Sequence, residues 1–144
     1  MNFRYRLTYK KNESMRYTSN LDVHKSWERI FRRANLPLAY SQGFHPQPKM
    51  QLACPLPLGF LSNHEILDVE LTEELSISEI LHMLKDKSPA GFEIMEFQLI
   101  TEKQPSLQVQ TMASEYHVEL LEPIDIKVLQ EMCQDLLQSD SLPR

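Results

Sequence analysis

Tyr40, Ser41, Gln42, Phe44 and His45 set a phenol, a hydroxyl, an amide, a benzyl ring and an imidazole side by side in one loop. Lys25, Arg29, Arg32 and Arg33 lead into that loop, and Lys49 follows it. Cations attract phosphates without regard to sequence. Aromatic, amide and imidazole groups stack on, or hydrogen-bond to, exposed bases. These residue types in this order point to binding of RNA or an RNA-containing substrate. A solvated helix face reads the same four cations equally well, and Tyr40 and Phe44 serve equally as core anchors that pin the loop.

His45 lies in a stiff stretch between Phe44 and Pro46. It is the one candidate for general acid/base work or for a hydrogen bond to phosphate. No nucleophile or metal ligand is predicted beside it, apart from the weak option of Ser41, so no catalytic residue is assigned. His24, His64, His82 and His117 are scattered along the chain, and Cys54 and Cys133 stand far apart with no metal-type pairing. No metal site is expected, and no cofactor in this chain. A glycine-rich phosphate loop, a His-Glu-x-x-His motif and a Gly-x-Ser-x-Gly elbow are all missing. Asp68, Glu70, Glu73 and Glu74 offer carboxylates, but strand alternation with Val69 and Leu71 inward turns the first pair toward water.

The elements that must position these residues follow from periodicity. Residues 3–9 alternate Phe3, Tyr5, Leu7 and Tyr9 with polar positions, as in a half-buried strand. Ser19 and Asp22 open a helix, with Leu21, Trp27, Ile30, Phe31 and Ala34 on one face and the four cations along another. Asn35 takes the left-handed stop and Pro37 forbids continuation. Residues 49–54 read as a short strand and 65–71 as its partner. Residues 76–87 form a second helix with a Ser76/Glu79 capping box, and residues 92–100 a fourth strand. That order is the βαββαβ, or ferredoxin-like, pattern of an α+β fold, expected over residues 1–101. Residues 102–112 read as a linker. Residues 113–138 supply a fifth strand (114–120) and a third helix (124–137), the opening of an incomplete second ferredoxin-like unit, before a frayed tail at 139–144.

Composition fits a globular chain: 144 residues, 42% hydrophobic, 24% charged, net charge −5. Charge is polarised, with ten Lys or Arg against three Asp or Glu in residues 1–50 and five against seventeen in the rest. Such polarity steers an anionic partner to one side, or is neutralised across an internal interface. No apolar run approaches the roughly 18 residues of a membrane span, and no signal-peptide pattern opens the chain, so a cytoplasmic location without membrane contact is expected.

Several segments together carry a resemblance: Ser19-Asn20-Leu21-Asp22, Trp27-Glu28-Arg29, Arg32-Arg33-Ala34, residues 36–46 (LPLAYSQGFHP) and Pro55-Leu56-Pro57-Leu58-Gly59. With these the chain resembles the radical-SAM-linked domain of unknown function, whose members are fused to, or encoded beside, a radical SAM protein. The family often carries His where this chain has Asn20 and Gln47, which weakens a histidine-cluster reading. The resemblance implies an accessory module for a radical SAM partner, since this chain lacks cluster-binding cysteines. Two other expectations stand beside RNA binding: a protein–protein adaptor docking on that partner, and an enzyme using His45.

Overall fold

A computed structural model describes residues 2–139 and 141. The sheet forms because Tyr5, Leu7 and Tyr9 of β1 (Phe3–Lys11) place every second side chain on one face. All three are buried in one cluster with Val23, Trp27, Ile30 and Phe31 of α1 (Asn20–Arg33). Ser19 caps this helix by accepting from the Asp22 backbone N–H at 3.2 Å. Asn35, at φ 54°, ends it as the sequence predicts.

After the loop come β2 (Met50–Leu52), β3 (Ser62–Leu71), α2 (Ile77–Leu84) and β4 (Phe92–Ile100). The strands make one antiparallel sheet in the order β2-β3-β1-β4, the ferredoxin-like arrangement. Leu7 pairs with Leu67 of β3 on one side and with Phe97 of β4 on the other, fixing the register at the centre of the core. α2 carries the expected capping box and contributes Ile80 and Leu84 to the same cluster. Trp27 anchors an aromatic group, with its ring centroid 4.8 Å from Tyr9 and 5.1 Å from Phe92. Burial raises the Tyr9 phenol well above its ordinary range.

The other sheet face departs from expectation. Asp68 is 3% exposed instead of turned to water. It accepts from Arg6 Nε at 2.8 Å and Arg6 Nη2 at 3.0 Å, and pairs with Arg4. A buried charge is tolerated because it is paired and hydrogen-bonded. The cover comes from residues 102–112, read from sequence as a plain connection. They include α3 (Leu107–Gln110), whose Leu107 is buried, and the carbonyls of Gln104 and Pro105 accept from Arg4 Nη1 at 3.2 and 2.9 Å. Gln51 Oε1 accepts from the Leu107 N–H at 3.2 Å.

Contacts divide the chain into residues 1–112 and 113–144. The second unit holds α4 (Ile126–Gln138), started by Asp125 accepting from the Lys127 N–H at 2.8 Å. The expected fifth strand over 114–120 is not formed: those residues carry no strand, although Tyr116, Val118 and Leu120 alternate as a strand would. Alternation describes a strand's faces, but a strand also needs a ladder partner for its backbone, and none pairs with it among the described residues. Of the expected frayed tail, residues 140 and 142–144 lie outside the described residues. No described helix is long and apolar enough to cross a membrane.

Candidate functional site

The loop after α1 is a hairpin tied to the end of the sheet. The Ala39 N–H donates to Glu70 O at 2.9 Å, and the Lys49 N–H donates to Ala39 O at 2.8 Å. The Glu70 N–H donates to Lys49 O at 2.9 Å. Tyr40 and Pro48 form a bridge pair above this base. Ser41 closes the next step, its N–H donating to Gln47 O at 2.8 Å and its Oγ accepting from the Gln47 N–H at 3.0 Å. Gly43, at φ 130°, allows the reversal at the tip.

This framework decides the role of the two aromatic residues. Phe44 is fully exposed at the tip and Tyr40 is 39% exposed, so neither is the core anchor that sequence left open. Anchoring falls to Leu36, Leu38 and Ala39 instead, each under 8% exposed. Gln42 and His45 are exposed beside Phe44.

At the exposed side, where helix and hairpin meet, the Arg32 guanidinium lies 5.8 Å from the Tyr40 ring centroid, a cation–π distance. Arg32 also pairs with Glu28 one turn back at 2.7 Å. Lys25, Arg29 and Arg33 are exposed and make no ion pair among the described residues. Lys49 Nζ is 3.2 Å from Glu70 Oε2, so that cation is partly neutralised inside the fold. The charge polarity of the sequence is thus split. Arg4, Arg6 and Lys49 meet acidic partners on β3, while Lys25, Arg29 and Arg33 face solvent.

Sequence reading did not anticipate a shallow cleft of about 280 Å³ below the hairpin, lined by Arg4, Ser41, Gln47, Lys49, Gln51 and Glu70 among others. No local signal marks it, because β1, β2, β3 and the hairpin each supply part of its wall. Among the described residues no group of three or more His, Cys, Asp or Glu is placed to hold a metal ion.

Residues 4–143 match a family described as an uncharacterized protein conserved in bacteria (DUF2344). The chain belongs to that family. Searches of curated proteins and of solved structures give no match. For this DUF2344 chain the hairpin, the exposed edge of α1 and the cleft make up the candidate site, and all three lie within residues 1–112.

Proposed function

We propose that this protein is an accessory module of a radical SAM system that binds RNA or an RNA-containing substrate through α1 and the 36–49 hairpin. The link to a radical SAM partner rests on the sequence resemblance. The RNA reading is supported above all by the Arg32–Tyr40 contact, which joins the helix carrying the exposed Lys25, Arg29 and Arg33 to the hairpin carrying the exposed Phe44. Lys25, Arg29 and Arg33 hold phosphates, while Tyr40, Phe44, Gln42 and His45 contact bases. Lys49 and Ser41 lie at the base of the hairpin and line the cleft beside it.

Salt-titrated binding of single-stranded and structured RNA tests this reading. Binding that weakens steeply with salt, and whose salt dependence flattens in Arg29→Glu/Arg33→Glu, is the expected result. Absence of binding at low salt, or binding indifferent to those changes, overturns it. The fully exposed Phe44 also favours a second reading, a protein–protein adaptor that docks its tip on the partner. Co-purification with an adjacent radical SAM protein that survives nuclease treatment and is lost in Phe44→Ala supports that reading instead.

A further inference from the structure

We propose that the cleft below the hairpin binds one unstacked nucleotide, with the base inside and the phosphate at Lys49. This deepens the RNA reading by giving it a specific pocket, and it rests on that reading. At about 280 Å³ the cleft falls just below the range of drug-sized ligand pockets, roughly 300 to 1,000 Å³. It has room for a single small unit, not for a folded motif.

Its wall offers hydrogen-bonding groups not consumed by the fold. Ser41 Oγ accepts from the Gln47 N–H, leaving the hydroxyl hydrogen to donate. Gln51 gives its Oε1 to the Leu107 N–H, leaving its amide hydrogens. Both side-chain partners of Glu70, Asn2 at 2.8 Å and Lys49 at 3.2 Å, sit on Oε2, so Oε1 remains to accept. Donors and an acceptor lining one cleft are what a base edge requires. Two carboxylates also line the cleft, and each is offset by cations, Asp68 by Arg4 and Arg6 and Glu70 by Lys49. Lys49, 40% exposed, keeps donors beyond its pair with Glu70.

The test is a titration of the full chain with the four nucleoside 5′-monophosphates, followed at the side-chain amide resonances of Gln47 and Gln51. Concerted shifts at both are expected, with binding weakened about fivefold in Ser41→Ala, the size of one hydrogen bond. No shift at either amide at millimolar nucleotide overturns the proposal, as do the same shifts produced by inorganic phosphate or glycine alone. RNA binding that is unchanged in Ser41→Ala/Gln47→Ala overturns the cleft and leaves the helix-and-hairpin reading standing. Nucleotide shifts at both amides in a protein that binds no RNA chain support the cleft and overturn that reading.

Discussion

Arg6 grips both carboxylate oxygens of Asp68, at 2.8 and 3.0 Å, on the sheet face away from α1 and α2. Arg4 joins the same carboxylate, so one buried anion holds two guanidinium groups of β1. The hydrogen bond that Arg6 donates to Asp68 is the main reason its guanidinium is held above its usual range, with burial acting against it. Removing the shared charge strands both cations under residues 104–110. Asp68→Asn should therefore lower stability by about 3 kcal/mol, the cost of breaking a buried pair at one end. Urea unfolding should show a lower midpoint with an unchanged slope.

Gly91 accepts from the Asn12 N–H at 2.8 Å through its carbonyl and has φ 121°. An added Cβ would lie 2.5 Å from Met15 Cγ and press on Ser14 Oγ, in a backbone region that side chains rarely adopt. Both penalties act at once, so Gly91→Ala should destabilise the protein by about 2 kcal/mol. A thermal melt checks this, and a variant as stable as the parent would mean that the 13–15 turn yields freely.

Lys11 is 1% exposed, and its Nζ donates to the carbonyls of Arg16, Thr18 and Phe60 at 3.2–3.3 Å. It pins the turn after β1 to the loop before β3. Lys11→Met keeps the stem but leaves those acceptors without this donor, at a cost of about 2 kcal/mol. Amide exchange should speed up first around residues 16–18 and 60, ahead of the sheet centre.

What the sequence made legible was local. The alternation of Tyr5, Leu7 and Tyr9, the Ser19 and Ser76 caps and the Asn35 stop each act within a few residues, and together they define the βαββαβ order. Asp68 was misread because its burial depends on Leu107 and the carbonyls of Gln104 and Pro105, some forty positions away. Lys11 continues the core-facing parity of Tyr5, Leu7 and Tyr9, a signal present in the sequence but overridden by its charge. In residues 114–120 the alternation is present, but no strand among the described residues pairs with it. The hairpin's exposed polar and aromatic groups were visible as residue types in one short segment, whereas the cleft was not, since four separate elements build it.

Two carboxyls give opposite pH signatures. Burial pushes Glu65 above the ordinary 4.5, with a Ser62 hydrogen bond and the nearby charges of Lys11 and His64 partly opposing it. The folded state then holds a proton that the unfolded chain has released, so this group's contribution falls as pH rises from about 4.5 through the folded value. Glu79 is held below 4.5, first by the Ser76 side-chain hydrogen bond and then by the Ser76 backbone N–H. Its contribution is present above 4.5 and is lost as pH falls through the folded value. Melts of Glu65→Gln across this range should gain stability at neutral pH and lose the first dependence. In Ser76→Ala, Glu79 should titrate closer to its ordinary value by carbon-detected NMR.

Phe44 separates fold from function most cleanly. Fully exposed and outside the core cluster, its ring makes no contribution that truncation could remove from the folded state. Phe44→Ala should leave the unfolding midpoint within about 0.5 kcal/mol of the parent, as for other exposed sites. The same change removes one stacking surface, worth roughly 1–3 kcal/mol per base, so RNA affinity should fall without a change in salt dependence. Arg29→Glu/Arg33→Glu should do the reverse, flattening the salt dependence while stacking persists. Fluorescence anisotropy with a short single-stranded RNA at several salt concentrations distinguishes the two. Equal affinity for parent and Phe44→Ala would remove the hairpin tip from the RNA surface and leave it to the adaptor reading.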